Sequence, residues 1–379
     1  MIDTRRDLRI DLLRGLALVM IFLNHIPDNV LSRFTSRNLG FSDAAEAFVL
    51  LSGLSAGLAY SPARKRPRLA PWRRAVTLWW VQAVIVLAIL LTLYLAMPLP
   101  GVAAMAAQRN VGPVLHDPLA LLPAVLLMTH QFACADILPL YIMLLLAAPL
   151  MIASAWRWPV VALAVSGLLW LGAGWQEVNL RTWPDGPGWF FNPLSWQFLF
   201  LIGLVCGLSA PAGGRGAPKS RLLLGTALAV LLAAAAWLHV PGLAETGTMA
   251  LSGLQERLGT PDFLTSFDKT FLSPLRLLHA LSLAYVLSAL PGLHRLAQGR
   301  WAAPLAILGR NALPAFATGS ILVYPVQILR EFLLPPLLLD IVILLSGLNL
   351  MLLAALLADR HKHGVRPGNP QAGLARSGG

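Results

Sequence analysis

Arg14 and His25 lie in one apolar run and are eleven residues apart. An α-helix turns about 100° per residue, so eleven steps return to nearly the same face after a rise of about 16 Å. A helix over Ile10–Pro27 therefore carries a guanidinium near one end and an imidazole near the other, on one stripe. Asp11 is three residues before Arg14 and can pair with it across one turn. Imidazole changes charge near neutral pH, so His25 can take a proton from a hydroxyl as a general base. The plainer alternative is an interfacial histidine bonded to a neighbouring carbonyl. The next apolar run, Asp43–Tyr60, opens on Asp43 and Glu46, again three apart. Glu46 lies about one turn inside the run, as an intramembrane carboxylate or as part of a solvated helix end. Gly53 and Gly57 further along form a GxxxG, whose expected role is close helix packing.

Other polar residues gather between later apolar runs. They include His116, Asp117, His130, Gln131, Asp136, Glu177, Arg181 and Gln197. The segment Trp175–Trp196 holds four tryptophans among turn residues, with Trp183, Asp185, Trp189, Asn192 and Trp196 as its chemistry-bearing members. Aromatic faces beside amides and carboxylates suit sugar rings, while an interfacial aromatic belt accounts for tryptophans equally well. Ser61–Arg74 packs six basic residues into fourteen, ending in Arg73 and Arg74. Anionic lipid headgroups or a phosphorylated donor would both meet such a cluster. There is no Walker loop, no GxSxG elbow, no selectivity-filter motif and no zinc spacing, and Cys134 and Cys206 cannot form a disulfide framework.

The elements that must position these groups follow from composition. The 379 residues are 57% hydrophobic and 12% charged, against about 25% charged in soluble domains. That excludes a soluble enzyme, a disordered regulator and a disulfide-stapled secreted domain. The net charge of +12 falls between apolar runs, the pattern of a polytopic membrane protein rather than of a nucleic-acid binder. Ten runs approach the length that crosses a bilayer: Ile10–Pro27, Asp43–Tyr60, Val76–Met97, Ile137–Trp156, Val160–Gly174, Pro193–Leu208, Leu222–Leu238, Ser273–Leu290, Leu308–Ile328 and Leu334–Leu357. Leu119–Met128 is only ten residues long and reads as re-entrant or interfacial. The expected fold is an all-α polytopic membrane protein of about ten transmembrane helices plus that one short helix. Basic residues at the N-terminus, in Ser61–Arg74 and in Ser209–Arg221 then share the cytoplasmic side with both termini. Only Asp3, Asp7, Asp11 and Asp359 of the 17 acids lie there. Residues 1–357 form the membrane domain, and 358–379 read as a disordered basic cytoplasmic tail. The first run has no cleavage site after it and reads as an uncleaved span.

The stretch DLRIDLLRGLALVMIFLNHIPDNVLSRFTSRNLGFSDAAEAFVLLSGLSAGLAY resembles the opening of the OpgC family of membrane acyltransferases, linked to succinylation of osmoregulated periplasmic glucans. QFACADILPLYIMLLLAAPL, GPGWFFNPLSWQFLFLIGL, FDKTFLSPLRLLHALSLAY and LGRNALP continue the likeness to about Leu357. Arg14 and His25 also match the Arg/Lys-x10-His mark of the broader acyltransferase-3 group. The resemblance implies transfer of an acyl group, expected to be succinyl, from cytosolic acyl-CoA to a sugar hydroxyl on the periplasmic face of the inner membrane. It implies no bound cofactor and no metal. His25 would be the general base, or the carrier of an acyl group, and Arg14 would orient the lining or meet the donor. Glu46 and Asp136 would orient His25 or bind acceptor hydroxyls. Arg73 and Arg74 would meet the CoA phosphates. Trp183, Asp185, Trp189, Asn192 and Trp196 would contact the glucan. The implied partners are the bilayer, acyl-CoA, a periplasmic glucan or other envelope glycan, and a glucan-synthesis complex. No residue in the sequence specifies succinyl over acetyl.

Two rival readings use the same residues. A transporter or flippase for a glycan or lipid-linked intermediate would use the intramembrane charges as a substrate path, but the internal symmetry of many transporters is missing. A non-catalytic scaffold would tolerate loss of His25.

Overall fold

The structure, a computed structural model, describes residues 7–61, 67, 69–184, 186, 188–209 and 220–364. The elements are α1 (Leu8–Asn24), α2 (Ala44–Tyr60), α3 (Ala70–Ala96), α4 (Val102–Gln108), α5 (Gly112–His116), α6 (Pro118–Leu126), α7 (Ile137–Arg157), α8 (Pro159–Trp175), α9 (Pro193–Ser209), α10 (Arg221–His239), α11 (Leu243–Leu258), α12 (Asp262–Thr265), α13 (Pro274–Ala289), α14 (Gly292–Gln298), α15 (Ala303–Arg310), α16 (Ala312–Leu333) and α17 (Leu337–Gly364). Short 3₁₀ turns at Val30–Phe34, Ser36–Asn38 and Arg300–Ala302 complete them, and no strand occurs among the described residues. By length and composition α3, α7, α10, α16 and α17 can cross a membrane, and α13 with α14, bent by 77°, counts as a sixth. α2, α8 and α9 are shorter apolar helices. The chain is therefore an all-helical, multi-pass membrane protein.

Local sequence explains where the helices start. Asp7 caps α1 by accepting from the Arg9 N–H, and Ser220 caps α10 from the Leu223 N–H. Asp43 and Glu46 form a capping box on α2, each side chain accepting a backbone N–H that the first turn leaves free. Proline in the first turn opens α3, α8 and α13, where its missing N–H costs nothing.

Glycines set the two closest crossings. Gly53 and Gly57 of α2 face Gly203 and Gly207 of α9. A Cβ at these four positions would collide with the carbonyls of Phe200, Leu204, Leu50 and Leu54 respectively. The paired positions rise together along both chains, so α2 and α9 run parallel. The expected packing role of the first GxxxG holds, and its partner is a second GxxxG. Gly15 and Gly309 bring α1 and α15 together in the opposite sense, against the carbonyls of Leu305 and Asp11.

Contacts give each long helix a direction relative to α1, which runs from an arginine end to a histidine end. α2 and α13 both start at the histidine end, where Arg276 bonds Glu46. α16 finishes there and α17 starts there, joined by Arg330 and Asp340, while α10 finishes there with His239 on the Asn38 carbonyl. The Trp72–Leu146 and Gln82–Ala135 bonds make α3 and α7 antiparallel. Thus α1, α3, α8, α10 and α16 run toward the histidine end, and α2, α7, α9, α13 and α17 run away from it.

Two expectations change in detail, and two further stretches gain definition. The run Leu308–Ile328 is not one helix: Asn311 leaves helical geometry at ψ 46°, and the chain reverses there between α15 and α16. Its side chain ties the break down, donating to Ile307 O and Asp359 and accepting from Lys362. The run Leu119–Met128 becomes α6, nine residues long with Pro123 inside, too short to cross at 1.5 Å per residue. The polar stretch His239–Leu272 is mostly helical, as α11 and α12. α17 continues through Gly364, past the expected start of the tail at 358.

Candidate functional site

At the histidine end, α1 stops at His25, its C-cap. Buried Asn29 makes the turn that follows, donating to Leu23 O and Ile26 O at 2.8 and 2.5 Å. The His25 carbonyl accepts from Gln327 Nε2 of α16 at 2.6 Å. The imidazole is half-buried and borders a cavity of about 10 Å³ lined with Phe22, Phe316, Ser320, Val323 and Met351. That is about the space of one water. The Ile21 carbonyl accepts the His25 backbone N–H at 3.2 Å, and Lys269, Asp43 and Arg109 are the charges that act on the imidazole.

Glu46 is not a solvated end: it is fully buried. Its Oε1 accepts from Arg276 Nε at 2.7 Å, with Nη2 at 2.5 Å, and its Oε2 accepts the Asp43 N–H at 2.9 Å. Asp43 Oδ2 in turn meets Lys269 Nζ at 2.6 Å and Arg276 at 3.6 Å. Two carboxylates and two cations thus form one part-buried network around the buried Glu46, the arrangement in which burial of charge is tolerated. Lys269 and Arg276 lie more than 220 residues from their partners, so no local pattern in the sequence announces the pairing.

Asp136 sits at the N-cap of α7 without capping it, and Lys269 is the charge that acts on its carboxylate. Arg109, which the sequence reading passed over, closes α4 and enters the same region. Its Nη2 donates to Gln327 Oε1 at 3.3 Å and its Nη1 lies 3.5 Å from Cys134 Sγ. Tyr324 of α16 donates to Ala133 O at 2.7 Å and holds the loop before Asp136.

The tryptophan segment divides in two. Trp196 is fully buried, with Nε1 on the Lys269 carbonyl at 2.9 Å and its ring edge-on to Phe191. Asn192 is equally buried, donating to Val178 O at 2.7 Å and accepting the Leu194 N–H, and Trp189 is 3% exposed. The expectation that these three present faces to a ligand is corrected by their burial: the Asn192 amide holds the loop and the Trp196 indole fixes the Lys269 backbone, while the buried Trp189 indole N–H has no partner among the described residues. Trp183 is exposed, and its carbonyl is held by His130 at 2.7 Å. Asp185 lies outside the described residues.

At the arginine end, Arg14 bonds Ser55 Oγ of α2 and reaches the Gly309 carbonyl at 3.3 Å and Asp11 at 4.0 Å. Tyr141 of α7 bonds Ser52, and both Arg14 and Arg74 act on its hydroxyl. Arg74 is half-buried beside this group and Arg73 is exposed; the basic residues 64–66 and 68 lie outside the described residues. Burial works against the Asp7 carboxylate, but the Arg9 side chain and backbone N–H outweigh it and hold its pKa below the ordinary carboxylate value. Between the two ends the stripe of α1 is apolar: Leu18, Ile21 and Phe22 are buried, and Phe316 behind them stacks on Phe48 at 6.1 Å.

Among the described residues no three His, Cys, Asp or Glu side chains converge as a metal site. The arrangement places an imidazole near several fixed charges at one end, and a guanidinium and tyrosine cluster at the other. Neither a curated protein nor a solved structure matches the chain. The profile of the family described as OpgC protein matches residues 6–363, nearly the whole chain. The chain belongs to the OpgC family.

Proposed function

We propose that this chain is an inner-membrane O-acyltransferase that moves a succinyl group from cytosolic acyl-CoA to a hydroxyl of a periplasmic glucan. Membership of the OpgC family implies an acyltransferase acting in glucan modification. The observation that carries the finer reading is the placement of His25 among Lys269, Asp43 and Arg109, with Arg14, Tyr141 and Arg74 gathered at the opposite end. A hydroxyl arriving at His25 gives its proton to the imidazole while its oxygen attacks the thioester carbon. Collapse of the adduct expels CoA as thiolate, which takes the proton back from His25. The products are the sugar ester and free CoA thiol. Glu46 acts through Arg276, holding the network that aims Lys269, and Asp136 faces the acceptor. Arg14, Arg73 and Arg74 receive the phosphorylated donor, whose phosphates guanidinium groups bind bidentately. Trp183 and Asp185 meet the glucan, on a loop shaped by Trp189, Asn192 and Trp196.

The ten helices of alternating direction each cross the membrane, with α6 re-entrant and both termini cytoplasmic. In a cysteine-free background, a cysteine at Pro67 is labelled from the cytoplasm and one at Asp185 from the periplasm; cytoplasmic labelling at 185 refutes this topology. The activity is tested by mass spectrometry of periplasmic glucans from the wild type, a deletion, and a deletion carrying His25→Ala. Both mutant strains lose the same acyl mass. Unchanged glucans reject that acceptor, and a full acyl content with His25→Ala rejects the mechanism.

A further inference from the structure

Three carboxylates at the histidine end are matched to cations. Asp43 has Lys269, Glu46 has Arg276, and Asp340 has Arg330 at 2.5 Å. Arg109 breaks the pattern from the other side: among the described residues no carboxylate lies within 4.0 Å of it, and its partners are the neutral Gln327 amide and Cys134 thiol. It is half-buried and carries a charge that no accessible pH removes. A guanidinium in such a place usually has a counter-ion, and none of the described residues supplies one.

Gln327 gives this cation an address. Its amide is buried, and its two ends serve two masters: Nε2 donates to the His25 carbonyl at 2.6 Å and Oε1 accepts from Arg109 at 3.3 Å. One side chain of α16 therefore locks the residue that bears the imidazole, at the end of α1, to the guanidinium at the end of α4. Arg109 is also close enough to act on the imidazole electrostatically. An unspent positive charge held rigidly beside a general base suits a negative charge that exists only during the reaction. Fixed charges of that kind cost no reorganisation when the charge develops.

We propose that Arg109 stabilises the oxyanion of the tetrahedral adduct in acyl transfer, and that Gln327 is the positioning residue that holds Arg109 and His25 in register. The inference rests on the acyl-transfer reading above. As the hydroxyl oxygen bonds to the thioester carbon and its proton passes to His25, the carbonyl π electrons move onto oxygen. Arg109 donates to that oxygen. When the carbonyl re-forms, the C–S bond breaks, and the thiolate recovers the proton from His25. Arg109 gains and loses nothing over the cycle.

The test uses the full chain in nanodiscs, glucan from the deletion strain as acceptor, and acetyl-CoA, butyryl-CoA and succinyl-CoA as donors. Arg109→Gln lowers kcat by roughly 10²–10³-fold with every donor that the wild type uses, and leaves KM for CoA donors little changed. Arg109→Ala regains part of its rate when guanidinium ion is added at concentrations that leave the wild type unaffected. Gln327→Ala lowers kcat with unchanged KM and is not rescued by guanidinium, because its cation is present but misplaced. A loss confined to succinyl-CoA overturns the proposal and makes Arg109 a receptor for the donor's own carboxylate. An undiminished kcat in Arg109→Gln, or no guanidinium rescue of Arg109→Ala, overturns it as well. Should Arg109→Gln melt early, Arg109→Lys at the wild-type melting temperature carries the comparison and must keep an intermediate kcat. A wild-type protein that transfers from no donor, or a fully active His25→Ala, sinks the acyl-transfer reading itself.

Discussion

The two ends of the bundle solve opposite problems with the same residue types. At the histidine end four charged side chains neutralise one another within one part-buried network, Asp43 and Glu46 against Lys269 and Arg276. The groups left over, His25, Asp136 and Arg109, have no ion-pair partner within 4.0 Å among the described residues. At the arginine end Arg14 leans on neutral oxygens, Ser55 and the Gly309 carbonyl, with Asp11 only at 4.0 Å. Pairing charges tightly fixes a scaffold, because each partner becomes costly to remove. At the arginine end the tight pair is Arg310 with Asp359 at 2.8 Å, and Arg14 has both neutral and acidic partners. On the function proposed above, the first end holds a geometry for chemistry and the second receives the charged donor.

Four substitutions test that contrast, from the largest effect to the smallest. His25→Ala lowers kcat for acyl transfer by roughly 10²–10⁴-fold, the range of a lost general base, with KM for the donor unchanged; steady-state kinetics on purified protein reads both. A change in KM alone would place the histidine in binding and erase the difference between the ends. Arg276→Ala strands the buried Glu46 carboxylate and destabilises the fold by about 3–5 kcal/mol, seen as a lower denaturant midpoint in detergent. Adding Glu46→Gln recovers much of that loss, and a double mutant no better than the single one would show that the network is not a closed pair. Arg74→Ala removes a charged hydrogen-bond donor worth about 1.5–3 kcal/mol from the arginine end, so KM for acyl-CoA rises at least roughly tenfold at constant kcat. A fall in kcat instead would mean that this end takes part in the chemistry. Asp7→Ala removes the α1 cap at a cost of about 1 kcal/mol, read as faster amide exchange in the first turn with activity retained.

Much of this was legible in the sequence, for reasons that show where legibility stops. Apolar runs of near-spanning length became helices because hydrophobic length is a local property, readable at Ile137–Trp156 or Leu222–Leu238 without knowing any neighbour. The eleven-residue step from Arg14 to His25 is equally local, and so is the Asp43–Glu46 step that became a capping box. Partnership is not local. Nothing near Glu46 says that Arg276 will neutralise it, and nothing near Gly53 says that Gly203 will meet it. Asn311 looked like one polar residue in an apolar run. Its break is set by Asp359 and Lys362 of α17, which lie about 50 positions on. Trp189 and Trp196 read as exposed platforms because tryptophan favours interfaces, yet the Lys269 carbonyl needed a donor and the indole of Trp196 supplied it. Arg109 sits in a short helix end with no periodicity to mark it.

The apolar stripe between the ends has a consequence for the cell's energy supply. On the function proposed above, the enzyme is served from both faces of an energised membrane, and one continuous water file would make it a proton leak. Leu18, Ile21, Phe22, Phe48 and Phe316 fill the section between Arg14 and His25, and the cavity beside the imidazole, at about 10 Å³, has room for a single water rather than a chain of them. Protons hop along hydrogen-bonded chains and stop where the chain is cut. The apolar section thus separates the imidazole from the arginine end along α1, and on the function proposed above such a break keeps a proton path from running the length of that helix.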